Sequence, residues 1–112
     1  MSQITTHILD TSIGKPASGV GIHLQKPTKE GWENLASGST SSDGRISNLL
    51  EDEVKLHPGI YSIIFDVAEY FANIGVKSFY PSIRITFEIF DDSHYHIPLL
   101  LNPFGYSTYR GS

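Results

Sequence analysis

His94 and His96, near the C-terminus, are the residues whose type and spacing most directly suggest chemistry. Residues two apart on a β-strand point to the same face, so a strand through this segment aims both imidazoles in one direction. The opposite face of that strand is apolar and consists of Tyr95, Ile97, Leu99 and Leu101. Because imidazole gains and loses a proton near neutral pH and also binds metals, the pair indicates acid–base catalysis or metal binding.

Two interpretations of this His-x-His pair are open from the residues alone. The two histidines can be unrelated residues on a solvated surface. They can be metal ligands with His7 as a third, although the chain has no cysteine and no carboxylate at a fixed spacing to orient them. His7 and Arg45 also project from faces that do not enter the core, and the sequence alone does not show whether they meet the pair.

His7 and Arg45 are positioned by elements in the first half of the chain. Alternation over residues 4–9 predicts a first strand, with His7 opposite Ile4 and Ile8. The sequence Ser41-Ser42-Asp43-Gly44 is typical of a turn, because these residues cap their own backbone or tolerate positive φ. Arg45 follows this turn directly and opens a short predicted strand over 45–49.

The remaining elements are also short strands, with one exception. Strands are predicted over 19–26, 32–40, 59–65, 83–90, 94–101 and 106–110. Asp66 with Glu69 fits a capping box that begins a helix over 67–74, ended by Gly75.

Pro98 conflicts with its strand, because proline normally marks an edge or a bulge. About eight strands and one helix in 112 residues predict a single domain, residues 1–112, that is all-β: an antiparallel β-sandwich of two sheets with one short helix.

Composition limits the partners. The formal charge is −4, from 8 Lys and Arg against 12 Asp and Glu, and there is no basic run, so we expect no nucleic-acid partner and no anionic membrane partner. The absence of cysteine excludes disulfides and thiolate chemistry. The N-terminus has no basic and apolar leader, and no stretch approaches the roughly 20 apolar residues of a membrane span, so we expect a cytoplasmic protein.

Four blocks of the chain, in order, resemble the transthyretin-related 5-hydroxyisourate hydrolases. They are Thr5-Thr6-His7-Ile8-Leu9-Asp10 with Gly14-Lys15-Pro16-Ala17; Ser42-Asp43-Gly44-Arg45; His94-Tyr95-His96-Ile97-Pro98-Leu99-Leu100-Leu101; and Tyr106-Ser107-Thr108-Tyr109-Arg110-Gly111-Ser112. The terminal Tyr-Arg-Gly-Ser is the specific part, since it separates the hydrolases from transthyretin, the hormone carrier of the same fold. One departure is Asn102, where the family usually has serine.

The resemblance implies a transthyretin-like sandwich of two four-stranded sheets, assembled as a homotetramer with its sites in a channel between dimers. It implies hydrolysis of the small molecule 5-hydroxyisourate, the unstable product of urate oxidation, to 2-oxo-4-hydroxy-4-carboxy-5-ureidoimidazoline, with no cofactor and no metal. Carried over by position, the catalytic set is His7, Arg45, His96 and Ser112. His7, Arg45 and Tyr109 bind substrate, and His94 belongs to the motif without a catalytic role.

For the mechanism we expect one of His7 and His96 to be the general base, with the other orienting water or relaying the proton. Arg45 would bind the anionic substrate and the developing oxyanion, and Ser112, with its hydroxyl and carboxylate, would complete the hydrogen-bond frame. The Arg45 guanidinium should keep both imidazoles neutral. Two other classes are considered: a transthyretin-like carrier of an apolar ligand, without catalysis, and a plain interaction module.

Overall fold

Two β-sheets pack face to face in the computed structural model, which describes all 112 residues. The elements, in chain order, are β1 (Ile4–Asp10), β2 (Lys15–Pro16), β3 (Gly21–Thr28), β4 (Gly31–Ser39), β5 (Arg45–Ile46), β6 (Gly59–Asp66), α1 (Val67–Asn73), β7 (Ile83–Ile89), β8 (Tyr95–Asn102) and β9 (Gly105–Thr108). The first sheet has the order β2-β1-β8-β9, with β5 also paired to β1, and the second has the order β4-β3-β6-β7. The predicted β-sandwich with one short helix is confirmed.

The core lies between the sheets and follows the alternation predicted for each strand. Ile4 and Ile8 of β1 and Leu99 and Leu101 of β8 are buried from one side. Phe65 of β6 is among the largest side chains that meet them from the other sheet. Because successive residues of a strand alternate between faces, this core places the intervening residues of β1 and β8 on the outer face of the first sheet.

β1 and β8 pair in parallel, whereas the sequence predicted an antiparallel sandwich; the other strand pairings are antiparallel. All four strands of the second sheet lie between β1 and β8 in the chain, so β1 and β8 are not joined by a hairpin. Because only a hairpin requires antiparallel pairing, β8 can pair with β1 in parallel. The register sets Thr5 opposite His96 and His7 opposite Pro98. Residues about 90 positions apart in the chain therefore become neighbours on one sheet face.

Pro98 does not break β8, which pairs with β1 without interruption over seven residue pairs. The C=O of His96 accepts the N–H of Gly111, so the backbone groups of even-numbered residues in β8 face the last strand. The missing N–H of Pro98 therefore faces that strand, and pairing there stops after Thr108 and resumes at Gly111. Proline thus explains why β9 ends before the predicted Arg110.

The helix α1 begins at Val67 as predicted, but its capping box does not form. The Asp66 side chain makes no cap hydrogen bond and instead accepts one from His23 Nε2 at 2.9 Å. The helix is ended by Gly75 as predicted, and Gly75 has φ of 71°. The N–H of Gly75 donates to the carbonyl of Ala72, and the N–H of Val76 donates to the carbonyl of Phe71. These two bonds form a Schellman motif. No helix of this structure has the length and apolar character needed to cross a membrane.

The strand predicted over 45–49 is shorter, since only Arg45 and Ile46 pair with β1. In the loop after β5, side chains near the N-terminus accept hydrogen bonds from backbone N–H groups. Ser2 Oγ accepts the N–H of Leu50 at 3.0 Å, and Gln3 Oε1 accepts that of Leu56 at 2.8 Å. This loop is therefore held by side chains rather than by a ladder of strand hydrogen bonds.

Candidate active site

A pocket of about 200 Å³ opens on the outer face of the first sheet. The chemically active residues in its lining are Thr5, Arg45, His94, His96 and Ser112. They come from β1, β5, the start of β8 and the end of the chain. The parallel pairing of β1 with β8 and the short pairing of β5 with β1 bring these four segments together.

Thr5 lies between the two histidines of the His-x-His pair. Its Oγ1 is 2.8 Å from Nε2 of His94 and 2.8 Å from Nδ1 of His96. The two rings lie 6.3 Å apart, centre to centre, at an interplanar angle of 28°. Although Thr5 is on the outer face of the sheet, it is only 6% exposed. One buried hydroxyl thus joins both imidazoles.

The turn before β5 fixes the position of Arg45. Gly44 has φ of 75°, and a Cβ there would lie 2.5 Å from the carbonyl oxygen of Ile8. The Gly44 carbonyl also accepts the N–H of Ile8 at 2.8 Å, which ties the turn to β1. Glycine is therefore required both for the positive φ and for the close approach to β1. The result is the pairing of Arg45 with His7.

The C-terminal Arg-Gly-Ser is held against the histidines. The Arg110 guanidinium lies 4.3 Å from the centre of the Tyr95 ring and donates to the carbonyl of His94 at 3.3 Å. The N–H of Gly111 donates to the carbonyl of His96 at 2.8 Å. A Cβ on Gly111 would lie 2.6 Å from Cδ2 of His96, so glycine is needed for this contact. These contacts place Ser112 in the wall of the pocket.

Both histidines expected to be catalytic have a lowered pKa. Burial is the main cause for His7, and the Arg45 guanidinium lowers its pKa further, while Asp43 acts in the opposite direction. Burial is also the main cause of the lowered pKa of His96, followed by the neighbouring His94, Arg45 and His7. Arg45 therefore acts as expected, but its effect on both pKa values is smaller than that of burial. Each imidazole is neutral near pH 7 and able to accept a proton.

The structure brings together four of the five residues expected to form the site. Arg45, His96 and Ser112 line one pocket, and His7 is paired with Arg45. Tyr109 is 59% exposed and lines a different pocket, of about 290 Å³, between β7 and the strands β8 and β9.

Sequence reasoning missed Thr5, and it left His94 without a role. Strand alternation did place Thr5 on the same face as His7, which was the available signal. The register that sets Thr5 opposite His96 is not readable from either strand alone. No group of three or more His, Asp and Glu side chains in the chain is arranged to hold a metal ion.

A second imidazole cluster lies on the outer face of the other sheet. His23 Nδ1 lies 2.7 Å from Ser37 Oγ, and His23 Nε2 lies 2.9 Å from Asp66 Oδ2. Neither pocket of the structure includes these three residues.

Comparison with known proteins agrees with this architecture. The model of the HIUase/Transthyretin family matches residues 4–111. A 5-hydroxyisourate hydrolase of Salmonella dublin is 44% identical over 110 residues, which cover 97% of this chain and 80% of that protein. This chain belongs to the HIUase/Transthyretin family.

Two solved structures represent the two branches of that family. The 5-hydroxyisourate hydrolase of Klebsiella pneumoniae superposes with a TM-score of 0.83 at 38% identity, over 97% of this chain and 92% of that one. Sea bream transthyretin, solved in complex with thyroxine, superposes with a TM-score of 0.89 at 31% identity, over 98% of this chain and 95% of that one.

Proposed function

We propose that this protein hydrolyses 5-hydroxyisourate to 2-oxo-4-hydroxy-4-carboxy-5-ureidoimidazoline. The observation that carries the proposal is the convergence of Arg45, His96 and Ser112 on one pocket, with His7 beside Arg45. A cation and neutral imidazoles suit an anionic cyclic ureide that must be attacked by water. Relatives that carry the name 5-hydroxyisourate hydrolase, such as that of Salmonella dublin, support the same substrate.

In the proposed reaction, water adds to a ring carbonyl carbon and the ring C–N bond then breaks. A histidine of pKa near 6.5 does not deprotonate free water of pKa 15.7 in advance, since this would cost about 12 kcal/mol. The proton therefore leaves the water as the new C–O bond forms, with a histidine as general base. Arg45 binds the anionic edge of the substrate and the developing oxyanion. Ser112 contributes hydrogen bonds from the pocket wall.

A homotetramer, with this outer face covered by a neighbouring subunit, is part of the proposal. The same face carries Leu9 and Leu100, which are only partly buried within one chain. A partly apolar, partly polar face of this kind suits coverage by a symmetric copy. Tyr109 lines another pocket within its own chain, so its proposed contact with substrate requires its ring to move or a second copy to supply it. The proposed location is the cytoplasm.

The transthyretin branch supports a second candidate, a ligand carrier without catalysis. Sea bream transthyretin has the higher TM-score, 0.89 against 0.83 for the Klebsiella hydrolase. Backbone similarity of this degree identifies the shared fold and does not separate functions built on it. Sequence identity favours the hydrolase, at 38% for the Klebsiella structure against 31% for sea bream transthyretin. A pocket with two imidazoles and a guanidinium also offers little to an apolar ligand.

One assay separates the candidates. Substrate is generated from urate by urate oxidase, and its ultraviolet absorbance is followed with and without the protein. A hydrolase accelerates the decay above the spontaneous rate, whereas a carrier leaves that rate unchanged. The assay is repeated after exhaustive chelation. Activity that survives, with no gain on adding zinc, would remove the metal-dependent interpretation of the histidines.

A further inference from the structure

The hydroxyl of Thr5 couples the protonation patterns of the two neighbouring imidazoles. It lies 2.8 Å from a ring nitrogen of each histidine, Nε2 of His94 and Nδ1 of His96. A hydroxyl has a single proton, and a neutral imidazole has one N–H and one lone pair. Thr5 can therefore donate to only one of the two rings. When it does so and both rings are neutral, that ring presents its lone pair and the other ring presents its N–H to Thr5.

Two arrangements meet this requirement, and they give His96 opposite properties. In the first, Nδ1–H of His96 donates to Thr5, and Thr5 donates to Nε2 of His94. The Nε2 atom of His96 then has a lone pair and can accept a proton. In the second, every bond runs the other way, and Nε2 of His96 carries a proton that it can only donate. Arg45 lines the same pocket as His96, and its positive charge favours a lone pair over an N–H there.

We infer that Thr5 is a positioning residue, which holds His96 in the tautomer with a free Nε2 and links it to His94 as the second acceptor of a proton relay. The inference rests on the function proposed above, and it makes His96, not His7, the general base. His94, left without a role by the sequence motif, becomes the end of the relay.

The relay balances protons through one reaction cycle. As the water oxygen bonds to carbon, its proton moves to Nε2 of His96. Nδ1 of His96 gives its proton to Thr5, and Thr5 gives its own to Nε2 of His94, which becomes an imidazolium. When the ring C–N bond breaks, His94 returns its proton through Thr5 to Nδ1 of His96 as the leaving nitrogen takes the proton from Nε2. His96 stays neutral, and the first arrangement is restored.

The chain supplies a matched control for a hydroxyl deletion at Thr5. Thr6 is the adjacent residue, is also buried, and donates from its Oγ1 to the carbonyl of Ile97 at 2.5 Å. Thr6 also borders the pocket, but its hydroxyl bonds to the Ile97 carbonyl and to neither histidine. Thr5→Val and Thr6→Val therefore remove the same group from two adjacent, buried residues of β1, of which only Thr5 bonds to the imidazoles, and Thr5→Ser restores the hydroxyl.

Steady-state kinetics on 5-hydroxyisourate test the relay. Loss of a partner that orients a metal-bound imidazole costs about 10- to 100-fold, and we take the same scale for an imidazole that orients without a metal. We expect that loss in kcat for Thr5→Val, with KM within about twofold of the native value. Thr5→Ser should keep kcat within about threefold, and folded Thr6→Val should retain native kcat. His94→Phe, which keeps a ring without its nitrogens, should lose kcat to a degree similar to Thr5→Val. Native kcat in Thr5→Val or His94→Phe would overturn the relay, as would equal losses in Thr5→Val and Thr5→Ser.

Nitrogen-15 NMR of the histidine rings tests the tautomer without any substrate. Above the pKa of His96, the native protein should show an unprotonated Nε2 on that ring, and Thr5→Val should show a mixture of tautomers. A protonated Nε2 on neutral His96 in the native protein would overturn the inference. If the native protein failed to hydrolyse 5-hydroxyisourate, the proposed function would fall, and these spectra would still decide the role of Thr5.

Discussion

Each outer face of the sandwich carries a hydroxyl that is hydrogen-bonded to an imidazole. On the first sheet, Thr5 Oγ1 lies 2.8 Å from His96 Nδ1. On the second, Ser37 Oγ lies 2.7 Å from His23 Nδ1, and Asp66 holds the other ring nitrogen of His23 at 2.9 Å. By residue type, the second cluster is closer to a nucleophile–base–acid arrangement than the first.

The surroundings of the two clusters differ more than their residues do. His23 and Asp66 are 36% and 51% exposed, and no pocket adjoins them. Thr5 is 6% exposed, and His96 shares a pocket of about 200 Å³ with Arg45. Burial lowers the pKa of His96, and the Arg45 charge favours binding of an anion, whereas exposed charges in water interact only weakly. The two clusters therefore differ in burial, pocket walls and charge rather than in hydrogen-bonded residue types, and on these grounds the proposed chemistry is assigned to the first.

The sharpest test exchanges the histidine of each cluster for asparagine. Loss of a general base typically costs about 10² to 10⁴ in rate, so His96→Asn should lose kcat by that factor. His23→Asn should keep native kcat. Turnover of freshly generated 5-hydroxyisourate, followed by ultraviolet absorbance, measures both. Native turnover by His96→Asn would remove the base from the mechanism.

Arg45 gives the first cluster a positive charge that the second cluster lacks, and its substitution tests the role of that charge. Removal of a group that stabilises a developing oxyanion costs about 10² to 10³, so Arg45→Gln should lower kcat/KM by about that much. Arg84→Gln is the control, because Arg84 lies on the second sheet, where it donates to Ser62 and covers the ring of Trp32. Equal effects of the two substitutions in the same assay would contradict a local role for Arg45.

The pocket wall is tested by adding one methyl group. Gly111→Ala puts a Cβ within 2.6 Å of Cδ2 of His96 and should displace the tail from the histidine. Misplacement of this size at a site costs up to about 10²-fold, and we expect a loss of about 10- to 100-fold in kcat. Gly105→Ala should be close to neutral, because its Cβ would meet only Asn102, at 3.7 Å. A fully active Gly111→Ala would show that the tail is not part of the site.

The pH dependence follows from the direction of the pKa shifts. Burial and Arg45 lower the pKa of His7 and His96 below 6.5, so both imidazoles stay neutral to a more acidic pH than a free histidine. The acid limb of kcat/KM, which reports the free enzyme, should therefore have its midpoint below 6.5, with activity falling as pH drops through it. NMR titration of Arg45→Gln should show both pKa values raised, because a positive neighbour has gone. An unchanged or lower pKa in that variant would contradict the assigned cause.

The smallest effect is expected from the exposed carboxylate of the second cluster. Asp66→Asn should change the free energy of unfolding by less than about 1 kcal/mol and leave turnover unchanged, since exposed ion pairs contribute little. Asp10 offers the contrast, because it is fully buried and accepts from Tyr70 at 2.7 Å and from Ser12. Asp10→Asn should cost about 1–3 kcal/mol. Chemical denaturation measures both, and a larger loss for Asp66→Asn would reverse the contrast.

Features that depend on a few adjacent residues were predicted well. The alternation of Ile4 and Ile8 with His7 set the buried face of β1, and Gly75 ended the helix where expected. The capping box at Asp66 failed although its sequence pattern was present. A side chain from another strand, His23, binds the carboxylate that the pattern assigned to the helix. A local pattern shows which hydrogen bonds a side chain can form, but a residue distant in the chain can form a bond to the same side chain instead.

The sequence by itself determined the alternation that exposes His7 and His96, the glycine turn before Arg45, and the ordered blocks shared with a known family. It did so because side-chain direction in a strand and backbone freedom at glycine are local properties. Only the tertiary structure decided that Thr5 lies between His94 and His96, 89 and 91 residues away along the chain. That contact depends on the direction and register of β1 against β8, which the packing of all the intervening strands sets. The two histidines therefore have a shared partner that neither strand reveals alone.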